Sequence, residues 1–155
     1  MNIVPKQPNL ALFAVRAMLA LVFVFHGAQK LFGAFDGPGI DGMAGYNESL
    51  GIPMPVLSAY LAGATEFFGG IVLLIGTGAR IAAIPMMFTM LVASFVAHSG
   101  FDIQKGGMEY SLTLAVILAA IAIGGSGEWT IAKWFAQSST SHTRVEGATT
   151  AAHTL

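Results

Sequence analysis

Four apolar segments, Leu10–Phe32, Val56–Gly76, Ala79–Ala97 and Glu109–Gly125, constrain the fold of this chain more than any other feature. The first three hold 23, 21 and 19 residues, against the roughly 20 a helix needs to cross the hydrocarbon of a bilayer. The fourth is at the lower end of the spanning range. Apolar residues run all round each segment, which argues against amphipathic surface helices. With 55% hydrophobic and 10% charged residues in 155, against about 25% charged in an ordinary soluble domain, too little polar surface remains for a soluble monomer. The first segment also lacks the short basic start and cleavage site of a secretory signal. The expected fold is all-α, a polytopic membrane protein built as an antiparallel four-transmembrane-helix bundle.

Both ends of such a bundle lie on one side. That side holds Lys6, Arg80, Lys133 and Arg144, with Arg16 in the same half of its helix, against Lys30 and Lys105 on the other. The excess of Lys and Arg makes the first side cytoplasmic. The expected layout is a cytoplasmic segment 1–9, a membrane domain 10–135 in a bacterial inner (plasma) membrane, and a flexible tail 136–155. Within the domain, the Gly- and Pro-rich loop 33–55, with a short surface helix near 40–50, would cap the outer mouth or dock a partner. Trp129, Lys133 and Trp134 mark an interfacial helix over 128–135. Membrane lipids are the implied surroundings. The net charge of −1 and the lack of a basic cluster give no nucleic-acid signal.

Charge inside the apolar segments is where function or fixation should be sought. Glu66 lies in the middle of the second segment, Arg16 inside the first and Arg80 at the head of the third. Depth makes Arg16 and Glu66, joined by Arg80, the candidate buried ion pair, either fixing two helices in register or presenting a proton-accepting carboxylate. Small residues at four-residue spacing, Ala59–Gly63 and Ala62–Glu66–Gly70, give that helix a close-packing face. Pro85 cannot donate to the Ile81 carbonyl and should shape the third helix.

A second polar group gathers at the outer side. His26 and Lys30 are one turn apart on one helix face, and His98 ends the third helix at similar depth. These three are the candidate cofactor-binding residues, for a quinone head group that imidazoles could bond and exchange protons with. Helix-end decoration is the plain structural alternative. Axial haem ligation by two histidines, or a divalent metal on His26, His98, Asp102 and Glu109, is a weaker one. The chain has no cysteine, so thiolate chemistry is excluded. His142 and His153 read as tail filler, and Asn47–Glu48–Ser49 matches a glycosylation sequon without other support.

Arg16 with the run HGAQKLF (His26 to Phe32), EFFGGIVLLIGTGAR (Glu66 to Arg80) and the Pro85-containing helix closing at His98 resemble the DoxX family of small four-helix integral membrane proteins. The resemblance extends over roughly residues 10–125. It implies an integral membrane subunit associated with a redox system, in some members quinone-coupled thiosulfate oxidation, in others an oxidative-stress complex with partner proteins. By position, Arg16, Lys30, Glu66, Arg80 and His98 are the family-like polar residues. The expected role is a non-autonomous, quinone-linked membrane subunit. The alternatives are a non-catalytic assembly or anchoring protein, or a small-molecule carrier that would need to form a homo-oligomer to make room for its path.

Overall fold

The computed structural model describes residues 8–125 together with Gly127 and Thr130. The expected segment 1–9 is therefore described only from Pro8. Helix 128–135 with Trp129, Lys133 and Trp134, and tail 136–155 with Arg144, His142 and His153, lie outside the described residues, as does Lys6. Among the described residues the regular structure is entirely helical: α1 Pro8–Phe32, α2 Gly39–Ser49, α3 Pro55–Ile75, α4 Ala79–Val92 and α5 Glu109–Gly124. A π-helical turn, Ala93–Ala97, continues α4, and a 3-10 turn, Ile103–Lys105, precedes α5.

Three stretches, Leu10–Phe32, Pro55–Ile75 and Ala79–Ala97, are long and apolar enough to cross a membrane. The fourth apolar helix, α5, has 16 residues and runs only about 24 Å, so it falls short of the full hydrocarbon thickness unless the bilayer thins around it. In each long stretch only 28% of the most apolar window is buried against the protein. The outward faces, with Met18, Leu21, Leu61, Phe68, Ile81 and Phe88, are exposed apolar surface. That is what a helix presents to lipid and what water would penalise.

The closest-packed pairs are α1 with α3 and α4 with α5, with α3 against α4 closing the bundle. A common core draws Phe23 from α1, Leu73 from α3, Met86 from α4 and Leu118 from α5. The buried face of α3 is Ala59, Gly63, Glu66, Gly70 and Leu73, so the small-residue face does carry the carboxylate inward. Gly27 answers it on α1. A Cβ there would lie 2.4 Å from the Phe67 backbone nitrogen, so α1 and α3 approach this closely only because a hydrogen occupies the place of a side chain.

The same contact fixes the antiparallel register. Gly27 lies against Phe67, Gly70 against Val24, and Gly76 against Arg16. Since Arg16 is level with the end of α3, α1 extends past it by about 12 Å, the eight residues back to Pro8. Gly76 (φ +86) ends α3 in the left-handed conformation that favours glycine, and Gly78 opens α4 two residues later. Only Gly76, Thr77 and Gly78 separate the two helices. Pro85 stays within α4, and the Thr89 hydroxyl donates to the Pro85 carbonyl at 3.1 Å.

The short helix expected near 40–50 is α2. Its Asn47 is buried, and the amide Nδ2 donates to Ser58 Oγ at 2.9 Å. The sequon match at Asn47 thus falls on a residue that bolts α2 to α3.

Candidate functional site

Glu66 is 1% exposed, and its ion-pair partner is Lys30, whose Nζ donates to Oε1. Arg16 is not that partner. The α1–α3 register puts Lys30 beside Gly63, one turn from Glu66, and Arg16 beside Gly76, ten residues further along α3, or about 15 Å. Arg80 is elsewhere again, its Nε donating to the Ala122 carbonyl at 3.1 Å and its terminal nitrogen to the Ile123 carbonyl at 2.5 Å. The three residues expected to form one buried network are therefore separated. Arg16 and Arg80 lie near one end of the bundle, and Glu66 pairs toward the other.

Lys30 is 23% exposed, and it lines a cavity of about 370 Å³ between α1, α3, α4 and α5, roofed by α2. His26, Lys30 and His98 all line it, as do Glu66 and Tyr110. The three residues grouped from sequence by depth thus come from two elements onto one cavity wall. Most of the remaining wall is apolar, including Val22, Phe23, Met90 and Leu114. Few polar groups converging on an apolar space of this size is the usual make-up of a small-molecule site.

The polar groups are held in distinct ways. His26 Nδ1 lies 3.1 Å from Gln29 Oε1; an amide oxygen only accepts, so the imidazole donates from Nδ1 and in its neutral form keeps Nε2 as an acceptor. Glu66 Oε1 is taken by Lys30, whereas the buried Oε2 has no hydrogen-bond partner among the described residues. An unsatisfied carboxylate oxygen at this depth is costly, and it belongs to a residue of the cavity wall. Tyr110, on α5, lines the same cavity as Glu66. His98 enters from the extended residue that follows the π-helical turn.

The roof is tied at two points. Asn47 bonds Ser58 on α3, and the Tyr46 hydroxyl donates to the Ala97 carbonyl in the π-helical turn at 3.5 Å. The side chain of Ser94 in that turn lies 2.9 Å from Ser111 Oγ on α5. Both hydroxyls are buried, and the pair satisfies polar atoms where α4 and α5 meet.

No three His, Cys, Asp or Glu side chains come together in a way that could hold a metal ion among the described residues. Asp102 accepts from the Gln104 amide at 3.0 Å, and Glu109 Oε2 accepts from the Ile103 amide at 3.3 Å, so both carboxylates shape the loop before α5. Sequence reasoning missed Tyr110, Asn47 and Gly27. Tyr110 follows Glu109 at the start of the fourth segment, and its position one helix turn before Leu114 was the available signal. Asn47 gave none, because its role depends on where α2 folds back.

Residues 11–99 match the model of the family described as DoxX, so the match ends before α5, where the resemblance had been carried to 125. Among curated relatives, "Inner membrane protein YphA" of Escherichia coli (strain K12) is 32% identical over 96 residues, 62% of this chain and 64% of that protein. The match thus spans less than two thirds of that relative's length. "Uncharacterized membrane protein Rv3486" of Mycobacterium tuberculosis (strain ATCC 25618 / H37Rv) is 26% identical over 134 residues, 78% of each chain. No solved structure matches the chain.

Proposed function

This chain belongs to the DoxX family, and we propose that it is a membrane subunit of a quinone-linked redox complex whose outer cavity receives the quinone head group. The observation that carries the reading is the wall shared by the Lys30–Glu66 pair, His26, His98 and Tyr110 around about 370 Å³ of otherwise apolar space. A quinone offers two carbonyl acceptors, which suit the Lys30 ammonium, the Tyr110 hydroxyl or a protonated imidazole. A hydroquinone offers hydroxyl donors, which suit the Glu66 carboxylate and a neutral His26 Nε2. One set of groups can therefore serve both redox states, provided that protons move with the electrons. The electrons come from a partner protein of the complex. The protein sits multi-pass in an inner membrane with both termini cytoplasmic, which turns the cavity to the outer half.

The test is titration of purified protein in lipid with a tail-less benzoquinone, followed by NMR of ¹⁵N-labelled histidines. Resonances of both His26 and His98 should move together, and Lys30→Met should weaken binding at least tenfold. Undisturbed histidine resonances at saturating quinone would defeat the assignment. A second reading, a non-catalytic assembly or anchoring protein, draws on the same ion pair as a clip between α1 and α3. It requires Glu66→Gln to lower recovery of a partner complex while added quinone changes nothing.

A further inference from the structure

We infer that the groove between α3 and α4 holds the hydrocarbon tail of the ligand whose head lies in the inner cavity, so that the ligand enters sideways from the bilayer. The inference rests on the head-group reading given above. The groove has a volume of about 660 Å³. It shares six wall residues with the inner cavity: Leu50, Ile52, Ser58, Ala62, Thr89 and Val92. The two spaces are adjoining rooms with a common partition.

The partition is apolar in effect despite its two hydroxyls. Ser58 Oγ donates to the Pro55 carbonyl at 3.0 Å and Thr89 Oγ1 to the Pro85 carbonyl at 3.1 Å. Each hydroxyl donates within its own helix, and Ser58 Oγ also accepts from Asn47, which leaves Cβ and methyl surface toward the passage. Ala62 supplies no more than a methyl. Beyond the partition the groove is walled by Leu57, Leu61, Phe88 and Val96, all exposed at its mouth. Leu57 and Leu61 belong to Pro55–Ile75 and Phe88 and Val96 to Ala79–Ala97, both long and apolar enough to cross a membrane. The mouth therefore opens onto hydrocarbon. The polar end lies inward at Lys30 and Glu66, and the apolar end lies outward. That gradient selects an amphipathic molecule with a small hydrogen-bonding head and a flexible prenyl or alkyl tail, and it disfavours a water-soluble ligand, which gains nothing from the groove.

The experiment compares a tail-less benzoquinone with its decyl-substituted analogue, bound to the full chain in lipid nanodiscs and expressed per mole of lipid to remove partitioning. Leu61→Trp and Val96→Trp, each confined to the groove, fill it without touching the head site. Expected is a loss of at least tenfold in affinity for the decyl compound with less than twofold change for the tail-less one. A decyl analogue carrying a terminal diazirine should label α3 and α4 peptides on illumination, which reads tail position without relying on the variants. If the tail-less compound binds in a Lys30-dependent way but both compounds ignore the groove substitutions, or the label falls on α1 or α5, the tail route is wrong and the head site stands. If neither compound binds the unaltered protein, the head site and the tail route fall together.

Discussion

At one end of the bundle Arg16 lies against Gly76 and Arg80 donates to the last carbonyls of α5; at the other, Lys30 meets Glu66 on a cavity wall. All four belong to apolar segments, and depth alone does not separate them. What separates them is what they touch. Arg80 satisfies carbonyls that a helix end leaves without intrahelical partners, a need that exists wherever a helix stops. Lys30 and Glu66 satisfy each other on the wall of a cavity and still leave one buried carboxylate oxygen without a hydrogen-bond partner among the described residues. A charge in an apolar segment therefore indicates a site only when the space beside it is unfilled.

The sharpest way to break this contrast is to remove one member of the pair. Lys30→Met leaves Glu66, 1% exposed, without its cation, and should cost about 3–5 kcal/mol. The cost is read as a lower midpoint of denaturant unfolding in detergent. Glu66→Gln should cost clearly less, because Lys30 retains access to the cavity. The double variant Lys30→Met with Glu66→Leu should recover most of the loss, because it strands no charge. Equal costs for the two single variants would mean that the cavity gives the lysine left behind no relief.

Gly27→Ala tests the geometry beneath the pair. Its Cβ would strike the Phe67 backbone, so α1 and α3 must part, at about 1–3 kcal/mol. Quinone affinity should fall as Lys30 and Glu66 are drawn apart. At the opposite end, Arg80→Gln should cost about 1 kcal/mol and speed amide exchange over the last turn of α5, with ligand affinity unchanged. A drop in affinity there would erase the distinction between the two ends. The smallest effect is expected from Asn47→Ala, which removes the bond to Ser58. About 1 kcal/mol should appear as faster hydrogen exchange confined to α2.

The helices were legible in the sequence because hydropathy and length act locally. Leu10–Phe32 and Ala79–Ala97 recur with the same bounds as candidate spans. His26, Lys30 and His98 could be grouped because each sits near the same end of an antiparallel helix. The ion pair was not legible. Assigning Glu66 to Arg16 assumed that α1 starts at the plane where α3 ends, whereas contact at Gly27 slides α1 past the end of α3 and brings Lys30 level with Gly63. Register of that kind is decided by side-chain fit between helices, which no single segment encodes. Tyr110 and Asn47 were hidden for the same reason, since their roles arise from elements folded back over the cavity.

The Lys30–Glu66 pair has a consequence for an energised membrane. A single charge moved through the full field changes energy by about 2.3 kcal/mol per 100 mV, but an ammonium and a carboxylate in contact carry no net charge and respond only as a small dipole. The membrane voltage accordingly has little hold on the pair itself. Under the proposed quinone function it gains one when a proton is taken from or released to one side as the quinone changes redox state. Voltage dependence of turnover would then count the protons that cross part of the field.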